Sequence, residues 1–202
     1  TPAERSRALA QARLPVRFGG MGLTSQLAIQ RAAKVGSWAL VWRPLQQLCP
    51  WLFRDVDIAT SSLPSLRELQ AAHRQLLEEH RRVEGIYANL DAEVFDYTRD
   101  GEAHYRFHPG GLPPRDTLLP LSCFGGESEH LQHAQRRYSQ VLHHDNWLKL
   151  LTRMEQAGTR EAVRFIAVSQ PNAGAFLNAV PSKGPFRMPT WAMQIAVRRR
   201  LG

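Results

Sequence analysis

The chain has 202 residues, with 26 Lys and Arg against 18 Asp and Glu, a formal net charge of +8. A composition 43% hydrophobic and 22% charged suits one large globular domain or two small ones; it excludes collagen-like, low-complexity and disulfide-scaffold classes. No apolar run approaches the roughly 20 residues of a membrane-spanning helix. Two cysteines, Cys49 and Cys123, are too few for a zinc ribbon and fit a reducing, intracellular compartment, nuclear or cytoplasmic. The opening Thr1-Pro2-Ala3-Glu4-Arg5 has no initiator Met and no apolar signal core, so the chain reads as a piece of something longer.

Helical signals dominate from the start. Ala3 to Ala12 reads as a short helix, ended at Leu14-Pro15 because a residue before proline is pushed out of the helical region. Gly19-Gly20-Met21-Gly22 is a tight turn needing positive φ, and Thr24 or Ser25 can cap the next helix. From Gln26 to Trp42 apolar residues recur at helical spacing, and Pro44 is expected to stop or kink that helix. Leu48 to Phe53 is short and irregular. Ser65 with Glu68 matches a capping box, and Leu66, Leu69, His73, Leu76, His80, Val83, Tyr87 and Leu90 form an a/d seam behind it.

Asp91 to Glu127 is the least regular stretch, with room for a small hairpin around Arg99-Asp100-Gly101. Ser128 then caps a long helix from about Glu129 to Gln156, ended by Gly158. Thr159 caps a shorter helix to Ser169, Pro171-Asn172 starts another, and a last helix runs from about Thr190 to Leu201.

Catalytic constellations are weak. His130 and His133 stand three apart and His143-His144 come later, but no third or fourth metal ligand stands at suitable spacing. Packing or solvent-facing histidines account for them, and half-buried hydrogen-bonded histidines account for His73 and His80. The Gly19-to-Gly22 turn lacks the preceding strand and following Lys-Ser/Thr of a phosphate loop. No Gly-x-Ser-x-Gly elbow occurs. The carboxylate pairs read as solvated faces. No catalytic residue, metal or cofactor is assigned to this segment.

Charge is more informative. Only Lys34, Lys149 and Lys183 are lysines; the other 23 basic residues are arginines, which bind phosphate bidentately and stack on bases, although a GC-rich genome produces the same bias. Residues 1–62 carry +5, residues 63–130 carry −5 and residues 131–202 carry +8. Two basic ends around an acidic middle suit a polyanion. The candidate phosphate contacts are Arg13 and Arg17 beside the turn, the doublet Arg136-Arg137, and the triplet Arg198-Arg199-Arg200 in the last helical turn. Favourable interaction with the helix dipole needs only one or two of that triplet. Arg81-Arg82 sits among Glu78, Glu79 and Glu84 and is expected to be compensated there. Trp191 and Phe186 are expected in the core, with base stacking as the other use of such residues.

Arg13-Leu14-Pro15-Val16-Arg17-Phe18-Gly19-Gly20-Met21-Gly22-Leu23, with Ala32-Ala33 and Gly36-Ser37-Trp38 after it, resembles the stretch that opens the thumb in non-LTR retrotransposon reverse transcriptases. Met21 stands where that family usually has Leu. Phe176-Leu177-Asn178-Ala179-Val180-Pro181 is similar to the Ile-Asn-Ala-Leu-Pro motif of the linker beyond the thumb, and Arg200-Leu201-Gly202 to the Arg-Leu-Gly that leads toward a zinc knuckle. Gly19, Gly20, Gly22, Asn178 and Pro181 carry the likeness; the middle, from about Pro44 to Glu127, carries none. The family's Tyr-x-Asp-Asp turn does not occur here.

The resemblance implies a piece of an RNA-directed DNA polymerase whose catalytic core lies upstream in the same polypeptide or is lost. RNA or a DNA–RNA hybrid would be its partner. The expected architecture is mostly α: a helical bundle with two long antiparallel helices and an irregular loop or small hairpin in the middle. Its parts would be a thumb-like segment 1–62, a long helix with an insertion 63–127, and a linker-like segment 128–202. The alternatives are a helical protein-interaction or self-association module using the Leu66-to-Leu90 seam, and a metal-dependent enzyme built on the histidines.

Overall fold

Helices are the regular structure throughout the computed structural model, which describes residues 1–92, 118–126, 131, 133–170, 173 and 190–201. Seven α-helices occur among them: α1 (Pro2–Ala12), α2 (Gln26–Leu48), α3 (Pro50–Phe53), α4 (Pro64–Ala92), α5 (Ala134–Ala157), α6 (Thr159–Val168) and α7 (Thr190–Leu201). Tight 3-10 turns occupy Val16–Phe18 and Leu121–Gly125. The mostly-α class is the one the periodicity predicts. The hairpin near Gly101 and the helix start at Pro171 lie outside the described residues.

Several helix boundaries differ from expectation: α5 begins at Ala134 rather than near Glu129, its expected cap Ser128 lies outside the described residues, and Pro50–Phe53, expected to be irregular, is helical. Helix α2 runs through Pro44 to Leu48. Proline removes one hydrogen bond, to the carbonyl four residues back; here that is Leu40, and Leu40 and Pro44 are both exposed, so water can take the freed carbonyl. Buried Trp42, edge-on to Phe53 at 5.6 Å, anchors the helix on its other side. Helix α4 begins one residue before Ser65, with Pro64 in the first-turn position that tolerates a missing N–H. The Ser65 box therefore does not form, and Glu68 pairs with Lys34 of α2 instead. Thr159 is the first residue of α6 rather than its cap, which is Gly158 at φ +141°. A capping box does occur at Thr1, whose hydroxyl accepts from the Glu4 N–H at 3.3 Å.

The chain forms two units. The first joins Thr1–Ser25 to Asn146–Gly202, and the second joins Gln26–Glu93 to Pro113–Asp145. The first unit thus draws on both ends of the chain.

In the second unit, Leu66, Leu69, Leu76 and Val83 of the α4 seam are buried, as are His73 and His80 between them. Each leucine so buried contributes roughly 1.5–3 kcal/mol. They meet Ala32, Val35, Ala39 and Trp42 of α2, and Tyr138 and Leu142 of α5. Helices α2 and α4 are antiparallel: Arg31 pairs with Glu79 at 2.7 Å, and one turn later in α2 Lys34 pairs with Glu68, eleven residues earlier in α4. Helix α5 runs the same way as α4, since His73 lies edge-on to Tyr138 and, further along both helices, Arg82 pairs with Asp145. That pairing corrects the expected compensation of Arg82 within α4. Gly36 allows α2 to approach α5 closely, because a Cβ there would stand 2.5 Å from the Gln135 Cβ. His73 Nε2 lies 2.9 Å from the Leu119 carbonyl, the satisfied core histidine its place on the seam predicts.

In the first unit, Leu14, Phe18, Trp147, Met154 and Phe165 are buried. Trp147 stacks on Phe165 at 5.6 Å and donates its indole N–H to the Ser169 hydroxyl at 3.0 Å. That hydroxyl also reaches the Phe165 and Phe18 carbonyls, at 2.8 and 3.2 Å.

Candidate nucleic-acid interface

The candidate interface is built on the turn after α1. Pro15 ends the helical register, and its carbonyl accepts from the Phe18 and Gly20 N–H groups at 2.9 and 3.2 Å. Gly19 then sits at φ +81° and Gly22 at φ +76°, both costly for a residue with a side chain. Gly20 is required for a different reason: a Cβ there would fall 1.9 Å from the Leu14 carbonyl oxygen and 2.6 Å from that of Gln11. The turn is folded back onto the end of α1 too closely for any side chain at this position.

The last helix locks onto this turn. Arg200 is 2% exposed. Its Nε donates to the Gly20 carbonyl at 2.9 Å, one terminal nitrogen donates to Val16 O, and the other to Ala173 O at 3.2 Å. Gln11, fully buried, donates from Nε2 to Gly19 O at 2.9 Å and to Arg200 O at 2.6 Å. Arg164 of α6 donates to the same Arg200 carbonyl at 2.7 Å while holding Glu161 at 3.1 Å. Segments nearly the whole chain apart are thus joined by one polar cluster. Desolvation lowers the Arg200 pKa from its usual value, and the three carbonyl dipoles compensate for burying the charge.

Arg200 therefore departs from the expected role. Its guanidinium is committed to main-chain carbonyls inside the unit and cannot contact phosphate. Arg198 and Arg199 are exposed on the same turn. Arg13 and Arg17 are exposed on the segment that Arg200 grips, with the Arg17 guanidinium 5.2 Å from the centre of the Phe18 ring. The four exposed arginines thus stand on the two segments that the clasp joins, both in the first unit. Arg136 is exposed and Arg137 half-buried on α5 in the second unit, so these two are not part of that set. Asn178 and Pro181 lie outside the described residues.

Charge also divides by unit, and the surplus falls in the unit that both ends build. Among the described residues the first unit carries 11 basic and 3 acidic groups, and the second carries 10 and 8. Gln11 and Arg164, which complete the clasp, gave no signal in the sequence, since a glutamine in an Ala-rich helix and an arginine beside Glu161 both read as surface. Trp191, expected in the core, is 66% exposed.

His133 is exposed and His144 buried, while His130 lies outside the described residues. Among the described residues no three His, Cys, Asp or Glu side chains are grouped to hold a metal, and no helix is long and apolar enough to cross a membrane. Both cysteines are free and half-buried. Comparison of the chain with protein-family models, with curated proteins and with solved structures finds no match.

Proposed function

We propose that the chain is a non-catalytic segment that grips nucleic acid, similar in role to the thumb and linker of a non-LTR retrotransposon reverse transcriptase. It holds a template–primer hybrid or its RNA template by basic side chains, and the polymerase core belongs upstream in the same polypeptide. The observation that carries this reading is the clasp: Arg200 and Gln11 join the segment bearing Arg13 and Arg17 to the helix bearing Arg198 and Arg199, in the unit that holds most of the positive surplus. Such a surface neutralises phosphates without reading base edges, so binding is sequence-tolerant and driven by counterion release. Affinity for a DNA–RNA hybrid should fall steeply and linearly on a log–log salt plot. Absence of binding even at low salt would reject the proposal.

A second reading is favoured by one specific observation. The Leu66-to-Val83 part of the seam is spent in the core and is closed to partners. Exposed apolar side chains do cluster in the sequence of the second unit: Leu40, Val41 and Leu48 of α2, with Trp51 and Leu52 of α3; Leu48 is 71% and Trp51 82% exposed. Such residues mark protein contacts where they form a contiguous patch. If the chain self-associates through them, Trp51→Glu should return the mass measured by light scattering to that of one chain. A single-chain mass for the unsubstituted protein at all concentrations would exclude self-association.

A further inference from the structure

Helix α7 has two opposite faces, and only one is used by the clasp. At about 100° per residue, Trp191, Gln194, Ile195 and Arg198 fall on one side of the helix, with Arg199 at its margin and Arg200 diametrically opposite. Arg200 is enclosed and Trp191, Gln194, Ile195, Arg198 and Arg199 are all exposed; Met193, on the Arg200 side but two turns earlier, is also exposed. The clasp therefore fixes which way α7 is turned and presents an indole and an aliphatic side chain to solvent, with two arginines about 10–12 Å along the axis beyond Trp191 and about 5–6 Å beyond Ile195. A tryptophan left outside a helical unit is a costly use of a large apolar side chain unless something covers it.

Resting on the nucleic-acid reading above, we infer that this face of α7 binds unpaired nucleotides. A base stacks on the Trp191 indole, Ile195 extends the apolar floor, and Arg198 and Arg199 take the flanking phosphates. The chemistry selects a single strand over a duplex. In a duplex the base faces are stacked on one another and closed to an indole, whereas a single strand offers a free π-face at every nucleotide. The arginines alone would serve either form. An apolar protein partner would find its contact area bordered by two adjacent cations, whereas a polyanion is complementary to both halves of the face. The role assigned to α7 is to hold the unpaired template beside the duplex that the rest of the basic surface grips.

The test is fluorescence anisotropy with the intact chain at low salt, using an unstructured single-stranded RNA and a blunt DNA–RNA hybrid of equal length. Trp191→Ala should weaken single-strand binding roughly tenfold, with hybrid binding changed less than about twofold. Trp191→Phe, which keeps a stacking face, should recover most of the loss. Unchanged far-UV circular dichroism would show that the fold persists in the variants. Equal losses on the two ligands, no loss on either, or a fall in light-scattering mass with unaltered RNA binding would overturn the inference while leaving the general grip intact. Failure of the unsubstituted chain to bind either ligand would overturn both.

Discussion

Arg200→Met is expected to cost about 3–5 kcal/mol of folding stability, measured as a shift in the urea midpoint at unchanged slope. The substitution keeps an unbranched side chain of similar reach but removes all three donors. The Gly20 carbonyl is left without the partner that Arg200 supplies, as is that of Ala173, while Val16 O keeps the Gly19 N–H at 3.0 Å. Each orphaned buried acceptor costs about 1–3 kcal/mol. Arg200→Lys should be intermediate, since an ammonium restores charge but not the fork that reaches three carbonyls on different segments. By contrast, Arg199→Met next to it should change stability by less than about 0.5 kcal/mol, as for an ordinary surface site. If Arg200→Met and Arg199→Met cost the same, the clasp is not what joins the ends.

Gly20→Ala should destabilise by about 3 kcal/mol or more, from a single methyl group. At 1.9 Å from Leu14 O, the added Cβ meets rigid main chain rather than the end of a flexible side chain. Leu14 is itself buried, and its carbonyl accepts the Gly22 N–H at 2.9 Å, so relief requires opening the turn. Overpacking of this kind costs about 1–3 kcal/mol where side chains can adjust, and more where they cannot. Gly85 provides the contrast. It lies in α4 with nothing within 4 Å of the Cβ position, so Gly85→Ala should stabilise by about 0.5–1 kcal/mol through helix propensity. Because Arg200 Nε donates to the Gly20 carbonyl, the Gly20→Ala, Arg200→Met double variant should lose less than the two single losses added together. Additive losses would mean that the turn and the last helix are independent.

Much of the helical content was legible because periodicity records burial. The α4 seam is the clearest instance: each of its residues from Leu66 to Val83 is buried. The Gly19-to-Gly22 turn was legible because a Gly cluster after Leu-Pro has few conformational uses. Pro44 misled because propensity rules describe the isolated helix, whereas here the freed Leu40 carbonyl faces water. Ser65 misled because Pro64 is itself a good first helical residue.

The site was legible only as a charge excess. Three consecutive arginines look equivalent in sequence, yet a helix turns about 100° between them, so one points inward while its neighbours face solvent. The sequence pattern alone does not say which one, because the answer depends on carbonyls at Val16, Gly20 and Ala173 supplied by distant segments. For the same reason the +5 and +8 of the two ends appeared as separate surfaces, although most of their exposed arginines belong to one unit.

Whether the clasped ends form one basic grip is decided by a salt series of DNA–RNA hybrid binding, run on the unsubstituted chain and two charge-matched variants. One variant changes Arg13, Arg17, Arg198 and Arg199 to Gln; the other changes the exposed Arg54, Arg67, Arg74 and Arg81 of the second unit to Gln. The first should lose most of its affinity, with a log–log salt slope shallower by about 0.7–0.9 for each phosphate contact removed. The second should keep a slope close to that of the unsubstituted chain. Equal losses from the two variants would contradict a single grip, since binding would then follow total charge and not the surface that Arg200 assembles.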